Sequence, residues 1–155
     1  MSQPYYHRHQ EAADKISQLS LEILAYGQKL PQFVRVKFLQ AIPKYAARIM
    51  DLSDVYSSFT IEHSYHIAHA TGVTNFHPLR SQEGGEEPLG IIKKTTEHLP
   101  LEDRIEFFNL LSKYTKLWLN FLQAGDSPAW KLRKRIMEYI TTLKAQHKQQ
   151  NTISI

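Results

Sequence analysis

A chain of 155 residues with 42% hydrophobic residues suits one domain with its own core. The absence of cysteine excludes disulfides and thiolate metal sites, and no apolar run approaches the roughly 18 residues of a membrane span. The net charge of +4 is unevenly placed: six of the 19 bases and one of the 15 acids fall between Ala129 and Ile155, leaving 13 bases against 14 acids elsewhere.

The N-terminal stretch has no signal-peptide core, so the expectation is a cytoplasmic protein without a membrane. A first helix is predicted from near Pro4 to Tyr26, since Ala12, Ile16, Leu19, Ile23 and Leu30 recur on one helical face. Gly27 reads as a terminator, and Pro31 as the first turn of the next helix. That helix carries Val34, Phe38, Ile42, Tyr45, Ile49, Leu52, Val55 and Phe59, with a kink or break expected at Pro43. The pattern weakens after Phe59 and continues towards Gly72.

A long loop is predicted at about 72–88, where Gly84-Gly85 and two prolines argue against regular structure. PLGIIKKTTEHL reads as a short helix. The helix from Leu101 to Leu122 is the most apolar element, its apolar positions covering about two-thirds of the circumference. A surface helix needs an apolar stripe of little more than ~100°. Such a helix is central in its bundle or buries a second face on another chain, and homo-oligomerisation is the expectation. Gly125-Asp126-Ser127-Pro128 is a helix junction. The last helix runs to about His147 with a core stripe of Ala129, Leu132, Ile136, Ile140 and Leu143. The fold class is therefore all-α: an up-down helical bundle of four to five helices forming one domain over 1–148, followed by a disordered tail at 149–155.

No catalytic motif is present: no Gly-x-Ser-x-Gly, no P-loop and no Gly-x-Gly-x-x-Gly. Glu62, His63, His66 and His69 cluster on a predicted helix, with His77 in the loop after it. The spacing is neither the zincin pair nor a di-iron Glu-x-x-His set, and these histidines read as polar helix-end or loop residues. No metal, cofactor or enzymatic activity is expected. The basic block points instead to polyanions. Lys131, Lys134 and Arg135 project away from the core stripe as candidate phosphate contacts, with Arg133 and Trp130 at their edge and Arg35 and Lys37 adding to the surface. An outward Trp beside bases suits a contact surface, although packing over the Gly125 junction would explain it equally well.

KLPQFVR, Lys29 to Arg35, resembles the Lys-Phe-Pro-x-x-x-Arg junction of the four-helix bundle family of accessory variability determinants of diversity-generating retroelements. Leu30 stands for the aromatic, Pro31 and Arg35 match in type and spacing, and Phe38 and Ile42 continue the apolar pattern. FFNLLSKYTKLWLNFL, residues 107–122, is similar to that family's third helix and KLRKRIMEYITTLK to its fourth. The resemblance spans about 90 residues in two blocks; the family's closing Gly-Gly-Trp-like signature is absent, and residues 60–99 form an insertion. It implies a barrel-like, non-catalytic homo-pentamer that binds a reverse transcriptase and its structured template RNA. The expected function is a basic accessory subunit that binds nucleic acid, RNA ahead of DNA, and a protein partner in a ribonucleoprotein or retroelement complex. The alternatives are a small helical subunit of a CRISPR effector complex and a protein-interaction module without nucleic-acid binding.

Overall fold

The computed structural model describes residues 5–53, 58–72, 87–123, 125 and 127–153, all of them helical or in the turns between helices. Among the described residues six α-helices, rather than the four to five expected, follow one another: α1 (Tyr5–Ala25), α2 (Gln32–Ser53), α3 (Ser58–Ala70), α4 (Pro88–Thr96), α5 (Leu101–Phe121) and α6 (Ala129–Ile153). A 3-10 turn, Tyr26–Lys29, joins α1 to α2. Of the loop expected at about 72–88, residues 73–86 lie outside the described residues, as do His77 and Asp126, and Pro88 already opens α4.

The apolar periodicity of α1 is realised as a buried face of Ala13, Ile16 and Ile23, with Ala12 and Leu19 half-buried beside it. Gly27 does not end the helix through a left-handed backbone, the positive-φ glycines among the described residues being Gly72 and Gly125. Its role is close approach: a Cβ there would sit 3.1 Å from Leu39 Cδ2 on α2. α2 runs unbroken through Pro43. The proline forfeits one backbone hydrogen bond. Burial of Ala41, Ile42, Tyr45 and Ala46 on the turns around it keeps the helix continuous against α3, α4 and α5.

α5 is central. It packs on α6 and α1, with further contact to α2, and buries Phe107, Phe108, Leu111, Tyr114, Trp118 and Leu119. Each such side chain contributes about 1.5–3 kcal/mol relative to exposure. Rings from three other helices or turns meet it: Tyr26 edge-on and Phe38 tilted on Phe107, Tyr139 edge-on to Phe108. Much of the broad apolar surface of this helix is thus covered within its own chain, while Leu101, Ile105, Leu110 and Leu117 stay half-buried. The buried Tyr45 hydroxyl lies 2.7 Å from Thr115 Oγ1, which donates to the Leu111 carbonyl at 2.7 Å. With the Thr115 proton so placed, Tyr45 is the donor, and both hydroxyls are satisfied.

α6 continues past the expected end at His147 to Ile153, so residues 149–153 of the expected tail are helical; 154–155 lie outside the described residues. Nothing between Ala129 and Ile153 is Gly or Pro, and the Lys- and Gln-rich last turns are good helix formers. His147 Nε2, 3.2 Å from Glu102 Oε1, ties this end to the start of α5. Among the described residues, no helix is long and apolar enough to cross a membrane.

Candidate nucleic-acid interface

α6 starts after a turn in which Gly125 has φ +56° and Gln123 φ +51°, the left-handed stop expected of Gly125 reached two residues early by a glutamine as well. Ala129, Leu132, Ile136, Ile140 and Leu143 are all buried. That stripe fixes the rotation of the helix, so Lys131, Lys134 and Arg135 lie on its exposed side. Among the described residues no salt bridge or hydrogen bond engages the side chain of Lys131 or Lys134.

The neighbouring candidates are placed differently. Trp130 is half-buried and packs on the core rather than standing free. Arg133 is half-buried, with Nε sequestered and without a hydrogen-bond partner. Arg135 forms a two-pronged pair with Glu87, which precedes α4: Nη1 to Oε1 at 2.7 Å and Nη2 to Oε2 at 3.2 Å. These hydrogen bonds hold the Glu87 carboxyl below its ordinary range, and the nearby charges of Arg48 and Lys93 act in the same direction. One carboxylate therefore sits among three cations from α2, α4 and α6. Lys93 lies 4.8 Å over the Tyr139 ring, where burial, and then Arg135, lower its pKa.

Arg35 is half-buried and holds the turn before α2. Its Nε donates to the Gly27 carbonyl at 2.9 Å and its Nη2 to the Leu30 carbonyl at 3.1 Å. Lys37, two residues further along, is exposed and lines a cleft of about 340 Å³ between α2 and α4, together with Lys44, Lys94 and His98. Sequence reasoning named Lys37 but missed Lys44, Arg48 and Lys94. Lys37, Lys44 and Arg48 recur at steps of seven and four, one face of α2 over roughly 16 Å. That spacing was a usable signal; the position of α4 opposite was not. The result is a band of bases that passes from α2 and α4 at the cleft, past Glu87, to the first turns of α6.

Among the described residues, His63, His66 and His69 divide between core and surface. His63 is 5% exposed, its Nε2 3.2 Å from the Tyr114 hydroxyl and its ring 5.1 Å from that of Trp118. Burial, with a smaller effect from His66, lowers its pKa to about 4. His63 is thus a neutral core residue, not the helix-end histidine expected, whereas His66 and His69 are exposed. The repeating Ile67 and Ala68, both buried, carry the signal for this rotation of α3. Among the described residues no group of three or more His, Asp or Glu side chains is gathered to hold a metal ion. Comparison with known protein families, curated proteins and solved structures finds no match to this chain.

Proposed function

We propose that this chain is a non-catalytic accessory subunit that binds nucleic acid through the basic band on α6, α2 and α4, and works beside a protein partner in a ribonucleoprotein or retroelement complex. The observation that carries the reading is the pair Lys131 and Lys134, exposed on one side of α6 and, among the described residues, unengaged by any acid. Ammonium groups so placed suit phosphates, which supply affinity and position without reading sequence. RNA ahead of DNA, and a reverse transcriptase as the partner, rest on the family resemblance alone. A homo-oligomer rests on that resemblance and on the half-buried Leu101, Ile105, Leu110 and Leu117 of α5. An up-down order of the long helices belongs to the same reading. It is supported by Tyr26 at the end of α1 meeting Glu106 near the start of α5, and by His147 late in α6 meeting Glu102.

The test is filter binding of single-stranded and duplex RNA and DNA at two salt concentrations. Wild-type protein should bind more weakly as salt rises. The double variant Lys131→Glu, Lys134→Glu should lose roughly tenfold in affinity at low salt and about 1.4 from the slope of log affinity on log salt. Unchanged binding by the variant removes both lysines from the site. No binding of any nucleic acid by the wild type ends the reading and leaves the protein-interaction module.

A further inference from the structure

The cleft between α2 and α4 combines two kinds of wall. Val34, Ala41 and Ile91 supply an apolar floor, while Lys37, Lys44 and Lys94 bring three ammonium groups to its rim. Thr95 also faces the cleft, but its hydroxyl proton is directed to the Ile91 and Ile92 carbonyls. At the end where α2 begins stands Phe33, 75% exposed, with its ring edge-on to His98 at 5.3 Å between centroids. A phenyl ring so exposed gains nothing for the fold, yet it is placed beside the rim, one turn from Lys37.

We propose that this cleft holds a single nucleotide, its phosphate among Lys37, Lys44 and Lys94 and its base against Phe33 and His98. The cationic rim selects a phosphate-bearing ligand, and the ring pair with the apolar floor selects one that carries a flat, aromatic part. The volume of about 340 Å³ lies at the small end for ligand pockets. It is large enough for one nucleotide, and a base reaching the Phe33 and His98 rings has to be unpaired to stack on them. The same chemistry is offered by a free nucleoside monophosphate and by one splayed residue of a single strand. The strand is the source favoured here, because the cleft continues the basic band towards α6; to that extent the proposal rests on the nucleic-acid reading above.

The experiment is a titration of the full chain, labelled with nitrogen-15, followed by amide chemical shifts. The probes are adenosine monophosphate, inorganic phosphate, a single-stranded RNA oligonucleotide and an RNA duplex. Adenosine monophosphate should move the amides of residues 33–44 and 91–98, more tightly than phosphate does, and the single strand should move the same amides where the duplex does not. Phe33→Ser and Lys37→Glu, both at exposed positions, should each weaken the nucleotide by at least roughly fivefold while the remaining spectrum stays dispersed. Adenosine monophosphate that leaves the cleft amides unmoved, or binds the two variants as well as the wild type, overturns the site. Phosphate binding equal to that of the nucleotide overturns the role of the rings. A strand bound only through α6, lost in the Lys131→Glu, Lys134→Glu variant and silent in the cleft, overturns the cleft and keeps the proposed function. Nucleotide bound in the cleft with no strand bound keeps the cleft as a free-nucleotide site and ends the proposed function.

Discussion

His63 shows how one side chain can set a pH limit on this fold. Its imidazole is buried between Tyr114 and Trp118, where a positive charge would lack water and would face the Tyr114 hydroxyl. The pKa falls to about 4 in the folded chain, against about 6.5 for an ordinary histidine. Between those values the unfolded chain takes up a proton that the folded chain refuses. Stability is therefore full above about pH 6.5, falls as pH drops towards 4, and loses about 3 kcal/mol over that window. His63→Gln keeps a polar group beside Tyr114 and removes the titration. Urea unfolding from pH 4 to 7.5 should show a smaller drop in midpoint towards acid for this variant than for wild type. Equal drops would mean that His63 is not the group responsible. The sequence showed a histidine cluster, but its composition is silent on which member turns inward. That choice is made by Ile67 and Ala68, which fix the rotation of α3 and carry His63 into the core.

At the scale of the element, the turn from α1 to α2 is held by a side chain that the sequence alone placed on a binding surface. Arg35 was legible as a base beside Lys37, and the spacing Pro31 to Arg35 carried the family resemblance. Its guanidinium donates instead to the Gly27 carbonyl, which also accepts the Leu30 N–H of the 3-10 turn, and to the Leu30 carbonyl. Charge-assisted bonds of this kind contribute roughly 1.5–3 kcal/mol when buried, and less here because the group is half-exposed. Arg35→Met, which keeps the aliphatic stem, should lower stability by roughly 1–2 kcal/mol in urea melts and leave RNA affinity unchanged apart from the loss of one remote charge. A variant of full stability with strongly weakened RNA binding would return Arg35 to the interface. The apolar stripes of α1, α5 and α6 were readable because each depends on a period within one helix. The continuity of α2 through Pro43 and the steric need for Gly27 were not, because both depend on which helix lies opposite. The extent of α6 was misjudged for a related reason: its last turns are polar all round, and their helix propensity and the His147–Glu102 contact leave no apolar mark.

For the whole molecule, the net charge of +4 understates the field that a polyanion meets, because acids and bases are sorted onto different places. The cleft, which no local pattern predicts, exists only because the fold lays α4 along α2, and the same placement brings Glu87 between the cleft and α6. Glu87 is thus an acid set within the basic band, as is Asp51, whose Oδ2 lies 3.1 Å from Arg48 Nη1. Glu87 neutralises Arg135 through two hydrogen bonds and acts on Lys93, and on the Asp51-paired Arg48, by charge alone. The pair is exposed enough that its own contribution to stability is small, at most about 1 kcal/mol. Glu87→Gln should therefore fold nearly as well as wild type. If the band is a phosphate track, the variant gains a cation at its centre, and Arg135 becomes available to a phosphate. Affinity for single-stranded RNA should rise at low salt, and the slope of log affinity on log salt should steepen by about 0.7, the release expected for one added contact. The gain should vanish in Glu87→Gln combined with Arg135→Gln, which shows that it passes through the guanidinium. An affinity and slope equal to those of wild type would place Arg135 and the start of α4 off the path of the strand, and would confine the interface to whichever of α6 and the cleft still responds to its own substitutions.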